Sequence, residues 1–290
     1  MQDLVSIIIP CYNQGHFLEN ALQSIDQSAI EFPVEVIIIN DGSTDEMTIK
    51  KINELSLDAR YIVISQENMG LSAARNTGIA RAGGSYILPL DADNKILPAY
   101  INKAVPLLAS GKYDIVYGSP IFFGEDKKVR KYRSIPFDGY ALLERNYIDA
   151  CAIFKKDVWV KNGGYDTGMP IKTHEDWEFW INAYSNGFKF CFLDEPLFFY
   201  RISSNSMVDT FSREKFAVIH KYVFKKHPGI FLYHFMKLSY IKRKYDTDIK
   251  RWLLSPFIFL LYRLKIIKNP EQKAIERLEQ YDPLSKPPQP

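Results

Sequence analysis

The stretch that most limits what this chain can become is Tyr86-Ile-Leu-Pro-Leu-Asp-Ala-Asp-Asn94, an apolar run that ends abruptly in two carboxylates one residue apart. Its β-branched and aromatic residues favour a strand, and a strand that delivers acids at its carboxyl end puts them where open α/β sheets place their ligands. Asp91 and Asp93 repel one another unless positive charge sits between them. A hard divalent cation, Mg²⁺ or Mn²⁺, is the economical candidate, because it takes oxygen ligands, keeps several waters and shares its shell with phosphates. A bare D-x-D is a weak signal by itself. Aspartates also start turns and cap helices, and Lys95-Ile-Leu-Pro-Ala-Tyr100 reads as a helix start with Pro98 in its first turn.

The same strand-turn-helix grammar runs upstream. Leu4 to Ile9 is apolar on both faces, as a buried parallel strand requires, and is expected to stop at Pro10. After the Pro10–Gly15 turn, Phe17, Leu18, Ala21, Leu22 and Ile25 recur with helical spacing. Val34 to Asn40 repeats the strand and ends at Asp41-Gly-Ser-Thr-Asp45, where Ser43 or Thr44 is the expected cap of a helix through Leu55. A third strand, Arg60 to Ser65, leads through Glu67-Asn-Met-Gly70 into Leu71–Ala80, a helix of small residues from which one long cation, Arg75, reaches out. Strands alternating with helices at this length predict an α/β fold with a doubly wound, mainly parallel sheet.

Beyond the two acids the spacing predicts a helix over 101–108, a strand over 113–118, a charged irregular loop from Pro120 to Pro136 and a further strand over 149–154. Asn162-Gly-Gly-Tyr-Asp166 is a turn. Thr173-His-Glu-Asp-Trp-Glu-Phe-Trp180 then reads as a helix start, with Thr173 as cap and Asp176 three residues on. Trp177, Trp180, Ile181 and Tyr184 form one apolar stripe, although Trp177 is also placed to touch a ligand. No internal repeat is present.

Charge divides the chain. The net +3 hides 17 Lys+Arg against 7 Asp+Glu in residues 211–290, so residues 1–210 are acidic and residues 211–290 are a basic, helical appendage with different partners. Nothing in the basic part is organised like a nucleic-acid module, which argues against nucleic acid. Within it, Trp252 to Tyr262 is an apolar run of 11 residues. At 1.5 Å per residue a helix of that run extends about 16 Å, against a hydrocarbon core of about 30 Å, so it cannot span a bilayer. With its basic flanks, the 237–268 segment is expected to dock on the inner face of the cell membrane, or else to fold back or mediate a homodimer. Cys11, Cys151 and Cys191 follow no metal-ligand or disulfide spacing, which with the absence of a basic leader points to reduced thiols and a cytoplasmic setting.

With the strand ends in view, the first 210 residues resemble a family 2 glycosyltransferase of the GT-A fold. The stretches that carry the resemblance are Ile9-Pro-Cys-Tyr-Asn13, Asn40-Asp-Gly-Ser-Thr-Asp45, Asn68-Met-Gly-Leu-Ser-Ala-Ala-Arg-Asn-Thr-Gly-Ile79, Asp91-Ala-Asp93 and His174-Glu-Asp-Trp177, in that order. The resemblance implies an inverting transfer of sugar from a nucleotide-sugar, usually a UDP-sugar, to a hydroxyl of a glycan or lipid-linked acceptor, as in bacterial cell-surface polysaccharides. It gathers Pro10, Tyr12, Asn13, Asp41, Asn68, Gly70, Arg75, Asp91, Ala92 and Asp93 around the donor, with Pro10, Tyr12 and Asp41 about base and ribose. Asp93, helped by Asp91, would hold the metal, and Asp176 would be the general base.

The chemistry fits these assignments. Asp41 can accept the imide N–H of uracil, and Tyr12 offers a stacking face. A departing nucleoside diphosphate needs a cation, and Arg75 would lie near the phosphates or orient the carboxylates. An aspartate at a helix N-terminus is expected to stay ionised and take a proton. One departure stands out: where many relatives have Tyr-Arg-x-His, this chain has Tyr200-Arg-Ile-Ser203, and serine cannot replace imidazole as a cation ligand. A non-catalytic sugar-nucleotide-binding scaffold therefore stays open as an alternative. A sugar nucleotidyltransferase is less favoured, because the first loop has a single glycine with which to cradle a triphosphate.

Overall fold

The computed structural model describes residues 3–26, 30–97, 99–124, 133–202 and 212–247. In chain order the first half is β1 (Val5–Cys11), α1 (Gly15–Asp26), β2 (Val34–Asp41), α2 (Glu46–Ser56), β3 (Tyr61–Gln66), α3 (Leu71–Arg81), β4 (Tyr86–Pro89), β5 (Lys95–Ile96) and α4 (Ala99–Ala109). The second half is β6 (Ile115–Gly124), α5 (Gly139–Glu144), β7 (Ile153–Lys155), α6 (Lys156–Asn162), α7 (Glu175–Ser185), β8 (Phe190–Ile202), α8 (Arg213–Lys226) and α9 (Pro228–Thr247). The contact pattern divides the chain into two compact units, Met1–Pro228 and Gly229–Pro290, and α8 belongs to the first.

The first unit carries one eight-stranded sheet in the order β3-β2-β1-β4-β7-β6-β8-β5. β3, β2, β1 and β4 are parallel, β7 runs against both β4 and β6, and β5 runs against β8. The mainly parallel α/β fold is thus present, with two reversed strands in its second half. Every residue of β1 is buried, because helices cover both faces. Ile7, Ile9, Val36 and Ile38 pack in one core with α1 and α4. On the opposite face Ile8 and Ile39 meet α3, where a Cβ on Gly78 would come within 2.5 Å of Ile8 Cγ2 and 2.6 Å of Ile39 Cδ1. Only glycine lets that helix lie so close.

Several boundaries differ from expectation, each for a local reason. β1 continues through Pro10 to Cys11, paired to Ile39 and Asn40. Ile8 accepts from Leu90 N, so Pro10, two residues on, turns its missing N–H toward the same flank, where the β4 pairing has already ended at Ile8↔Pro89. α2 is capped by Asp45, whose Oδ2 accepts from Thr48 N at 2.8 Å, and not by Ser43 or Thr44, which bond to Asn13 instead. Lys95 and Ile96 are not a helix start but the short strand β5, opposite Phe199 and Phe198, and the helix begins at Ala99. Pro98 lies outside the described residues.

The loop expected from Pro120 is strand as far as Gly124. β6 pairs in parallel with β8 through Gly124↔Ile202 after register shifts around Ser119. Phe122 and Phe123 supply the reason, meeting Tyr200 and Phe199 edge-on with ring centroids 5.8 and 6.1 Å apart. Conversely, the strand expected over 149–154 is cut to Ile153–Lys155, because Asp149 Oδ1 turns back to accept Cys151 N at 2.9 Å.

Candidate active site

The parallel strands deliver the ends of β1, β2 and β4 to one edge of the sheet, and the antiparallel β7 brings its own start there with Asp149. Two clusters form along this edge. In the first, Asn13, at φ 54 in the left-handed region that asparagine tolerates, staples the loop after β1 to the loop after β2. Its Oδ1 accepts from Thr44 N and Asp45 N at 2.8 and 3.0 Å, its Nδ2 donates to Thr44 Oγ1, and its backbone N–H donates to Ser43 Oγ. Tyr12, carried on this staple, is 45% exposed, whereas Pro10 is buried in the sheet.

Asp41 ends β2 and is only 4% exposed. Its Oδ1 accepts from Gln66 Nε2 at 2.7 Å and Met69 N at 3.0 Å, and its Oδ2 accepts from Gly70 N at 2.8 Å. Three of about four lone-pair positions are thus taken, and one on Oδ2 is left for a ligand. Gly70 needs its φ of 88° to turn the chain into α3, and Asn68 is exposed, its backbone lying against Gly42.

The second cluster is charged. The turn from Asp91 to Asn94 closes with Asn94 N donating to Asp91 O at 2.9 Å, and it buries Ala92 between the two acids. β8 pins this turn: Arg201 N donates to Asn94 Oδ1 at 2.9 Å and Arg201 Nε to Asp93 O at 3.2 Å. Burial first and the Asp91 charge second push the Asp93 carboxyl up to about 6, against the pull of Arg201. Arg75, 1% exposed, donates through Nη2 to Asp91 Oδ1 at 2.7 Å and through Nη1 to Glu175 Oε1.

α7 starts at Glu175, and here two expectations are corrected. Its N-cap position is His174, at φ 62, and Thr173 makes no cap. Thr173 Oγ1 instead meets His174 Nδ1 at 3.1 Å. Asp176, expected to stay ionised at the helix N-terminus, is pushed up to about 8, first by burial, then by the charges of Glu175 and Asp149, with Arg75 and Asn146 opposing. Desolvation here outweighs the helix dipole. Asn146 Nδ2 donates to its Oδ2 at 2.8 Å. Trp177 is fully buried and its Nε1 donates to Leu142 O, which removes it from any contact with a ligand.

The structure thus brings Arg75, Asp91, Asp93 and Asp176 together, and Asn13, Asp41 and Gly70 at the neighbouring strand end. Asn146 and Asp149 join the charged cluster without a motif to announce them, and Glu175 and Arg201 join it from inside the recognised stretches His174–Trp177 and Tyr200–Ser203. Among the described residues no three His, Cys, Asp or Glu side chains form a metal-ligand group. Two close acids, one of them driven toward its neutral form, fit a divalent ion that completes its shell with phosphate and water. Ser203 lies outside the described residues.

Comparison with known proteins shows the family. The sequence profile described as Glycosyl transferase family 2 matches residues 6–163. The glycosyltransferase GlyA of Streptococcus pneumoniae is 28% identical over 226 residues, 71% of this chain and 32% of that protein. TuaG of Bacillus subtilis, named for teichuronic acid biosynthesis, is 29% identical over 259 residues, covering 84% of this chain and 95% of the relative. The chain spans only a third to two thirds of the length of the first relatives it matches. Among solved structures, S. aureus TarS 1–349 in complex with UDP-GlcNAc shares the fold, with a TM-score of 0.61 and 18% identity over 75% of this chain and 64% of that one. The chain belongs to glycosyl transferase family 2.

Proposed function

We propose that this glycosyltransferase moves a sugar from a UDP-sugar to a hydroxyl of a glycan or lipid-linked acceptor, with inversion at the anomeric carbon. The observation that carries the reading is geometric: Arg75 ties the Asp91–Asn94 turn at the end of β4 to Glu175 at the start of α7, which gathers Asp91, Asp93 and Asp176 into one cluster, where burial raises both the Asp93 and the Asp176 carboxyls. Uridine is supported by the single acceptor position left on Asp41, which suits an imide N–H, by the exposed ring of Tyr12 and by the UDP and UDP-GlcNAc complexes of the structural neighbour TarS. Polysaccharide assembly is supported by the relative named for teichuronic acid biosynthesis.

In this reading Asp93 and Asp91 hold Mg²⁺ or Mn²⁺. The ion, when bound, supplies positive charge to the departing diphosphate. Asp176 takes the proton from the acceptor hydroxyl as its oxygen bonds to the anomeric carbon, while the bond from that carbon to the diphosphate oxygen breaks on the opposite face. Raised to about 8, this carboxyl becomes free to take a proton only as pH rises toward and through that value, so transfer should climb over that range. Asn146 aims the carboxylate through Oδ2.

The test is calorimetry of UDP with and without Mn²⁺, alongside release of UDP from UDP-sugars. Binding should need the metal and collapse in Asp93→Ala. Equal affinity in EDTA would end the metal assignment.

The basic appendage is assigned to the cytoplasmic face of the membrane, beside a lipid-linked acceptor. No described helix is long and apolar enough to cross a bilayer, and Trp252–Tyr262 lies outside the described residues. The full chain should sediment with anionic vesicles at low salt and not with zwitterionic ones. A chain that stays in the supernatant with both, and sediments as a dimer by itself, would make the appendage an oligomerisation element.

A further inference from the structure

We infer that Arg75 is a positioning residue, a strut that fixes the Asp91 turn against the first turn of α7 and so sets the gap between the departing diphosphate and the proton acceptor, without touching the donor. The inference rests on the transfer reading above and deepens it.

The guanidinium is spent on protein. Nη2 donates to Asp91 and Nη1 to Glu175, one residue before Asp176. The Tyr165 ring lies 5.4 Å from Cζ, and the buried Nε has no hydrogen-bond partner among the described residues. At 1% exposure, Arg75 presents no surface to a phosphate. A charge buried this deeply persists only if it is paired, and both of its partners belong to the site. The planar fork holds its two arms at a fixed separation, so one side chain sets the distance between two carboxylates. A lysine ammonium, a single point on a flexible stem, cannot do this.

The neighbouring residue anchors α3 to α6 and to the turn that precedes α7. Asn76 Oδ1 accepts from Trp159 Nε1 at 2.9 Å and Tyr165 N at 2.7 Å, and its Nδ2 donates to Tyr165 O at 2.8 Å. Two successive residues of α3 therefore grip the turn and the helix that lead to Asp176, and they do so from partners 83 to 100 residues away in sequence. α3 itself is seated on β1 and β2 through Gly78. The strut thus has a fixed foot on the donor side and reaches the base side through Glu175.

The experiment uses the full chain, with UDP plus Mn²⁺ as the binding probe and whichever UDP-sugar the wild type turns over as the donor. Arg75→Lys and Glu175→Gln should each leave the Kd for UDP and the KM for donor within about threefold, while kcat falls about 100-fold or more. The double variant should fall no further than the worse single one, because both remove the same link. A loss of UDP affinity of tenfold or more in Arg75→Lys, with kcat kept at saturating donor, would make Arg75 a donor ligand and overturn the inference. Multiplying losses in the double variant would do the same. Should Arg75→Lys fail to fold, Glu175→Gln decides alone: kcat per folded molecule equal to wild type overturns the strut. A wild type that releases no UDP from any UDP-sugar overturns the transfer reading together with the inference built on it, whereas the variant patterns overturn the inference alone.

Discussion

On one side of the site, Asn13 and Asp41 gather three loops by accepting hydrogen bonds from backbone N–H groups 28 to 32 residues away and from the Gln66 side-chain amide. On the other, Glu175, Asp176 and Glu178 sit on the first turn of α7 and are held by groups that arrive from 30 to 100 residues away. Glu178, fully buried, takes Lys226 at 2.9 Å and His227 at 2.6 Å, both from the end of α8, and Lys226 also reaches Asp166 at 2.7 Å. The difference teaches how the two tasks are divided. In the proposed reading the nucleotide side is shaped mainly by bonds from backbone amides, while the proposed proton acceptor, Asp176, sits in a field of buried charges that tunes it.

The sharpest way to break that division is Asp176→Asn. Transfer should fall about 10²–10⁴-fold, the usual worth of a positioned base, with the affinity for UDP unchanged by calorimetry. If UDP binding falls with it, the two sides are one. Glu178→Gln comes next. It leaves Lys226 and His227 facing an uncharged amide; because Lys226 is about a third open to water and keeps Asp166, the expected cost is about 1–3 kcal/mol, to be read as a fall in the denaturant midpoint. Asn13→Gly keeps the positive φ and removes the side-chain bonds, so it isolates the staple. A loss of about 1–3 kcal/mol that does not vary between pH 6 and 9 is expected, and a pH-dependent loss would spoil the contrast.

The smallest effect has a definite sign. The Asp176 carboxyl is lifted from 3.8 to about 8, so the native state keeps a proton that the unfolded chain releases. The stability this group contributes is full below about pH 4 and is lost as pH rises through about 8. Asp176→Asn should therefore raise stability by about 1–2 kcal/mol at pH 8.5, allowing for the part of the side chain open to water, and by nothing at pH 4, as thermal melts will show.

The same contrast explains what was legible beforehand. β2 and the stripe on α1 stand where the apolar runs put them, because a buried parallel strand bounded by turn residues is a local pattern. β5 is two residues long and exists only because β8 lies beside it, and the extension of β6 depends on Phe198, Phe199 and Tyr200 from far along the chain. No window of sequence contains those partners. In the site, the roles proposed for Asp41, Asp91, Asp93 and Asp176 came from the family resemblance, while the positions of the first three after strands and of Asp176 at a helix start were legible from the pattern. The raised basicity of Asp176 was not, because the helix N-terminus can be seen in sequence and the burial cannot. Asn146 and Asp149 lie in an irregular stretch where a lone polar residue carries no signal, and the direction in which Arg75 reaches is a fact about packing.

Gly78 works as a shim of zero thickness. The helix that carries Arg75 one turn earlier rests on Ile8 and Ile39 with no atom between, so the height of that helix above the sheet is gauged by an absent methyl group. Any side chain there would lift the helix as a wedge lifts a lever, drawing the guanidinium from two carboxylates that never touch position 78. The placement of Arg75 is thus machined on the sheet-facing side of α3, at a position that touches none of the charges it governs.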